Sequence, residues 1–387
     1  MEKLNINGLS DSEALHKISL LIDQAQDERD HELSEAARVL IDELDARPLA
    51  PTDSALLHYF RANAWSALRP TENQTDTWNW DQPALQEEIL SLRRATRHEA
   101  FRDLPPFRQC QILTNLGNGL DTAGRFIEAI EAWDQALAIE PRFAMAIGNR
   151  ALGFSHYGRA VYDPGHAGVL LLESHDGYRS ALSGQAIYES EGHDSVIHGF
   201  HEQMKFISSI IPVDEIRESV DLDSFSLGET GEEQAYRSWC LSHRLFLNPL
   251  NDLGARSIAA ADVLTLPNMT FRNEADWKPP AIIGFFNQIK QEFVSARFMF
   301  YEAQRSREQH YSDREVLLYN TLDFPVHSFR SERMRAAFRA SYSIFDKLAY
   351  FLNSLAVART GHYGAFSGCR KTFSTKGRPK QWNPTLR

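Results

Sequence analysis

The chain has 387 residues, enough for two domains that bury cores without disulfide or metal staples. Hydrophobic residues at 43% and charged residues at 24% exclude a disordered chain, and no apolar run reaches the ~18 residues of a membrane span. The net charge of -11 is unevenly spread: residues 297–387 carry 16 Lys+Arg against 7 Asp+Glu, so an acidic body ends in a basic module.

Twelve of those 16 basic residues are Arg, the side chain suited to bidentate phosphate contact. Pairing with the acidic body is the plainer use of the same charge. Cys110, Cys240 and Cys369 lie too far apart for a disulfide framework or a CxxC metal knuckle. The first residues carry no basic-then-apolar leader. A soluble protein in a reducing, cytoplasmic setting is expected, with no membrane partner.

Residues 10–47 read as helical, with Ser12 as a cap and Leu15, Ile18, Leu21 and Ile22 at helical spacing. Leu33, Ala37, Leu40, Ile41 and Leu44 repeat the pattern before Pro48. Further helices are predicted over 54–68, over 83–99 and after Pro105-Pro106, with a polar connection at 70–82. The stretch 110–141, CQILTNLGNGLDTAGRFIEAIEAWDQALAIEP, then supplies a helical hairpin. Gly117, Ala129 and Ala136 are small enough for two helices to approach closely. Trp133 fills the space against the next pair, Gly124 makes the turn and Pro141 closes the unit. These positions match the tetratricopeptide pattern, with Leu113 and Leu120 standing where that family usually has aromatic rings. About one repeat length of 34 residues later, Ala151, Phe154 and Gly158 fall in register, and the register breaks at Asp163-Pro164-Gly165. The resemblance implies a concave surface that holds a protein or peptide partner.

His166, His175, His193, His198 and His201 cluster over 163–206, and Asp194, His198 and His201 fit one helix face. That is a conceivable metal constellation, but a polar helix face explains it more simply, so no metal or cofactor is expected. The acidic segment 212–232 reads as a linker between a repeat domain at 10–211 and a second helical domain at 233–387. In the second domain two amphipathic helices are predicted. Phe286, Ile289, Phe293, Ala296, Phe300 and Ala303 line the first. Met334, Phe338, Ser341, Phe345, Leu348, Leu352 and Leu355 line the second.

The pieces YRSWCLSHRLFLNPLNDLG, ARFMFYEAQ, DREVLLYNTLDFP and MRAAFRASYSIFDKLAYFLN resemble a subfamily of the HEPN superfamily commonly fused behind tetratricopeptide-like helices. The expected fold is therefore all-α: a TPR-like α-solenoid, then a HEPN-like bundle incomplete at its C-terminus. The resemblance implies metal-independent endoribonuclease chemistry in a homodimer, in a defence or toxin-like role. A His moves a proton and an Arg stabilises charge on the phosphoryl oxygens. Such proteins carry Arg-x4–6-His on a last core helix. Arg305 and His310 fit that spacing but precede the Asp346 helix. A solvated helix end explains them equally well.

After Asn353 helical periodicity is lost, and 370–387 has six basic residues and no acidic ones. Arg370, Lys371, Lys376, Arg378 and Lys380 would then form an RNA-contacting tail, with Tyr363, Phe373 and Trp382 as stacking surfaces. Alternatively the reading frame leaves its normal course there, shortening the bundle. Three functions stay open: an RNase with a partner-sensing repeat domain, a non-catalytic scaffold, and an inactive shortened product.

Overall fold

A computed structural model describes residues 5–69, 81–188, 193–267, 281–305, 309–319, 322 and 326–360, the side chains of 281 and 354–360 excepted. Among them the fold is all-α, and the only strand-like feature is an isolated parallel bridge between Phe143 and Ile187. The chain divides into two compact units, 1–220 and 221–387.

The N-terminal unit is a run of helical hairpins: α1 (Asp11–Glu28) with α2 (His31–Asp45), α3 (Pro51–Leu68) with α4 (Pro83–Arg97), α5 (Pro106–Thr122) with α6 (Phe126–Ile139), and α7 (Ala144–Ala160) with α8 (Pro164–Ala181). Then come α9 (Asp194–Ile210) and the short α10 (Val213–Ser219). Local chemistry sets these boundaries. Ser10, not Ser12, caps α1, and its hydroxyl accepts from the Glu13 N–H while Glu13 reaches back, a capping box. Arg29 in the left-handed region (φ 51°) and the Asp30 cap split the predicted 10–47 helix into α1 and α2. Pro51, Pro83 and Pro106 open α3, α4 and α5, where a missing N–H costs nothing.

Trp133 on α6 is 1% exposed. Its ring fills the space beside two glycines. A Cβ on Gly117 of α5 would stand 2.3 Å from the indole Nε1, and one on Gly153 of α7 would stand 2.5 Å from Cζ3. The indole N–H donates to the Thr114 carbonyl and the Asn118 Oδ1, each at 3.2 Å. Ala129 and Ala136 are fully buried, Gly124 turns the chain at φ +75°, and Pro141 lies exposed in the turn before α7.

Two expectations need correcting. The register does slip at Asp163-Pro164-Gly165, yet the helical array continues through it: Asp163 caps α8, accepting from the His166 N–H, and Pro164 opens the helix. Gly158 does not copy the turn at Gly124, because α7 runs on to Ala160 and Gly158 is buried against Leu170 and Leu171. The segment 212–232 is not wholly linker. Its first half forms α10, whose Ile216 is 2% exposed and packs at Gly168 of α8. The predicted connection at 70–82 lies almost entirely outside the described residues.

Between α3 and α4, Glu88 is 4% exposed, with Oε2 2.8 Å from the Arg69 Nε. Burial pushes its carboxyl up to about 7, against the pull of Arg69 and a Ser66 hydrogen bond. Between the unfolded value near 4.5 and about 7 the folded chain holds a proton the unfolded chain has released. Stability therefore falls as pH rises through that window, by at most about 3 kcal/mol, and levels off above it. Glu88→Gln is expected to flatten this dependence, read as urea midpoints at pH 5 and pH 8. Equal slopes in the two proteins would refute the assignment.

The C-terminal unit holds α11 (Gly231–Ser242), 3-10 turns at Pro249–Leu253 and Ser257–Ala259, α12 (Ala281–Arg305), a 3-10 turn at Tyr311–Asp313, and α13 (Phe329–Thr360). Helices α12 and α13 pack on each other. Here the predicted apolar stripe is on the wrong face. Among the described residues of α13 Ala337 and Ile344 are buried, whereas Phe338, Phe345 and Leu352 are 70%, 68% and 61% exposed. The helix also continues past Asn353, where sequence periodicity fades.

Candidate functional site

The N-terminal unit carries a row of side-chain amides across successive first helices of its hairpins. Asn115 (α5) donates to Asn63 Oδ1 (α3) at 3.3 Å. Asn149 (α7) donates to Asn118 Oδ1 (α5) at 2.8 Å, beside the Trp133 N–H on the same oxygen. His156 Nδ1 lies 3.0 Å from Asp121 Oδ1 further along the same two helices. All four asparagines pair with one another and are part-exposed. An amide offers a donor and an acceptor together, which matches a peptide main chain. Sequence reasoning missed this row, although Asn115 and Asn149 stand about one repeat length of 34 residues apart.

The histidines do not converge. His166 and His175 lie on α8, His193 precedes α9, and His198 and His201 lie on it. Burial holds the His166 imidazole below its ordinary value, opposed by Asp163, and His175 Nδ1 pairs with Asp176 at 3.1 Å. Among the described residues no group of three or more His, Cys, Asp or Glu is placed to hold a metal, and no helix is long and apolar enough to cross a membrane.

In the C-terminal unit the densest polar constellation is one the sequence did not announce. Arg297 of α12 has a side chain only 3% exposed. It grips Asp262 with two hydrogen bonds of 2.8 Å, donates to the Tyr236 hydroxyl at 2.9 Å and to the Leu245 carbonyl at 2.8 Å. Tyr236, Phe246 and Phe293 rings surround the guanidinium. Burial would raise the Asp262 carboxyl, but hydrogen bonds from Arg297 and the Leu247 N–H outweigh it and hold the group below the usual carboxylate range. Every Arg297 partner is internal, so this cage joins α11, the 244–264 segment and α12 rather than reaching for a ligand.

Arg305 ends α12, with its guanidinium on Tyr301: Nη1 donates to the hydroxyl and the ring centroid is 5.2 Å away. His310 caps the next 3-10 turn. Its Nδ1 accepts from the Ser312 N–H at 3.3 Å and lies 2.7 Å from the Ser312 hydroxyl. With the Ser312 N–H directed at Nδ1, the tautomer that fits this cap has its proton on Nε2. Its flanks lie against Tyr311 (4.1 Å) and Phe329 (4.6 Å). No described contact joins Arg305 to His310. Each holds a local structure. Arg370, Lys371, Lys376, Arg378 and Lys380 lie outside the described residues.

Taken together, these features define an all-α chain with a helical-array unit and an Arg-rich helical unit. Residues 274–378 match the family model for the LA2681-like HEPN domain, which gives the chain a HEPN-superfamily C-terminal domain. The match takes in Arg305 and His310 and continues through the stretch beyond 353 to residue 378. No curated protein and no solved structure matches the chain.

Proposed function

We propose that the chain is a partner-binding helical-repeat protein whose C-terminal HEPN domain acts on RNA. The observation that carries this reading is the HEPN match over 274–378. The Arg-rich composition of 297–387 supports it, since arginine suits phosphate contact. In the catalytic form His310 Nε2 serves proton transfer to or from the ribose 2′-OH, and Arg305 turns from Tyr301 to the phosphoryl oxygens. The row from Asn63 to Asn149 supports an extended peptide segment as partner of the repeat unit.

The full chain incubated with single-stranded RNA in excess chelator is expected to leave 2′,3′-cyclic phosphate ends. His310→Ala should lower the cleavage rate by a factor of roughly 10²–10⁴, the usual worth of a general acid or base. Unchanged cleavage in His310→Ala removes that residue from the chemistry.

A second reading, a non-catalytic scaffold, is favoured by one observation. Arg305 and His310 are each engaged locally and not with each other. RNA binding without cleavage would decide for it, and absence of both would refute the RNA reading altogether.

A further inference from the structure

One stretch of the acidic repeat unit reverses its charge. Residues 1–90 carry 7 Lys+Arg against 18 Asp+Glu, whereas residues 91–108 carry five Arg against Glu99 and Asp103. Arg38, Arg47, Arg61, Arg69, Arg150 and Arg217 each pair with a carboxylate of this unit. Arg93, Arg94, Arg97, Arg102 and Arg108 take part in no ion pair among the described residues. The first three stand on the last turns of α4. Arg93 and Arg97 are one turn apart on one face, and Arg94 and Arg97 are exposed. Burial and then Arg61 hold the His58 imidazole of α3 below its ordinary value, with His98 and Arg94 adding to the effect and Asp45 opposing it. The charge of Arg94 thus reaches across to α3.

Beside these arginines lies a cleft of about 110 Å³. Arg38 and Asp42 of α2, Arg61 and Trp65 of α3, and Glu87 and Arg94 of α4 line it. The Arg38 guanidinium sits 3.7 Å from the centroid of the Trp65 ring, a platform that another flat ring can extend by stacking. Arg61 Nη2 already holds Asp42 at 3.1 Å and Asp45 at 2.9 Å, so the cleft has no surplus of positive charge for a phosphate. Its polar groups are mixed instead: Arg94 donates, while Asp42 and Glu87 accept. A nucleobase edge sets N–H donors beside oxygen and nitrogen acceptors and matches such a lining. An acidic peptide would bring its carboxylates against Asp42 and Glu87.

We propose that the repeat unit holds single-stranded RNA on this face of α4, with phosphates on Arg93 and Arg97 and one base in the cleft beside Arg94. The choice of RNA rests on the RNA reading of the C-terminal domain, but the surface lies in the repeat unit and uses none of residues 274–378. It is also separate from the amide row, which runs along α3, α5 and α7. Arginine forks grip phosphate oxygens in pairs, which the hydrated ammonium of lysine does not do. The two Arg-rich stretches of an acidic chain, 91–108 and 297–387, then serve one ligand: the first holds the strand and the second belongs to the domain that acts on it.

Fluorescence anisotropy of the full chain with a short labelled single-stranded RNA, checked intact on a gel, tests this over a salt series. The logarithm of the affinity is expected to fall with the logarithm of salt, and Arg93→Ala/Arg97→Ala should flatten that slope by about 1.4, the worth of two single-strand phosphate contacts. Trp65→Leu should weaken binding roughly tenfold at unchanged slope, because stacking releases no counterions. Arg142→Ala/Lys205→Ala removes two exposed charges elsewhere in the unit and should leave slope and affinity near wild type. Circular-dichroism melts check the fold of each variant, and the Arg93/Arg97 variant decides the proposal even if Trp65→Leu fails to fold. A wild-type slope in Arg93→Ala/Arg97→Ala, or equal flattening in Arg142→Ala/Lys205→Ala, overturns the proposal and leaves RNA binding to the C-terminal domain. Displacement of the RNA by polyglutamate at equal charge concentration assigns the face to an acidic peptide and overturns it as well. RNA held through Arg93 and Arg97 but never cleaved sustains the proposal and removes the catalytic reading of the C-terminal domain. No RNA binding at any salt overturns both.

Discussion

Arg297→Ala is expected to destabilise the C-terminal unit by about 3–5 kcal/mol, the range for removing one partner of a buried ion pair. The guanidinium leaves behind the Asp262 carboxylate, the Tyr236 hydroxyl and the Leu245 carbonyl, none of which can turn easily to water. Arg297→Lys keeps the charge but not the planar fork that grips both Asp262 oxygens, so it should recover only part of the loss. The pH dependence has a definite sign. The Asp262 carboxyl is held below its ordinary value in the folded chain. Its contribution is therefore present above the unfolded carboxylate range and is lost as pH falls through the folded value. The gap between wild type and Arg297→Ala should narrow in acid. Urea unfolding of the full chain, followed through the transition of the C-terminal unit, measures this. A gap below about 1 kcal/mol at neutral pH would mean the cage is incidental.

The second large effect belongs to Trp133. Trp133→Ala should cost about 3–5 kcal/mol, because a fully buried ring is lost from between α5 and α7. Gly117→Ala should cost about 1–3 kcal/mol for the opposite reason, overfilling the same space. The new Cβ would stand 2.3 Å from the indole Nε1, so the ring or the helix must move. The two changes share one volume. The double variant Gly117→Ala/Trp133→Ala should therefore be less destabilised than the sum of the singles, since the methyl enters vacated space. Strict additivity would show that Gly117 and Trp133 act separately. Thermal or urea unfolding of the four proteins closes this cycle.

Much of the helical array was legible because its signals are local. Proline openings, the Gly124 turn and the small-residue stripe of Ala129 and Ala136 depend on neighbours in sequence. The choice of buried face on α13 was not legible in that way. Phe338, Phe345 and Leu352 make the stronger apolar pattern, yet Ala337 and Ile344 meet α12. Periodicity counts hydrophobicity and says nothing about which partner arrives. Small Ala337 permits the close approach, and the bulkier edge is left open. The Arg297 cage was hidden for a related reason. Its partners come from 236, 245 and 262, distant in sequence, and an arginine in an amphipathic helix reads as surface. Arg305 and His310 illustrate the converse. Their spacing fits a motif, while the local geometry gives Tyr301 to one and the Ser312 cap to the other.

The bridge between Phe143 and Ile187 has a further consequence for the order in which the repeat unit opens. Ile187 donates to the Arg142 carbonyl at 2.7 Å and accepts from the Ala144 N–H at 2.9 Å. The chain leaving α8 is thus tied to the chain entering α7. A hairpin fastened at its base resists fraying at that end, since releasing the chain after α8 also frees the Ala144 N–H at the start of α7. Helices α7 and α8 then behave as a single cooperative block, and their amide protons exchange together rather than in a gradient from the helix tips.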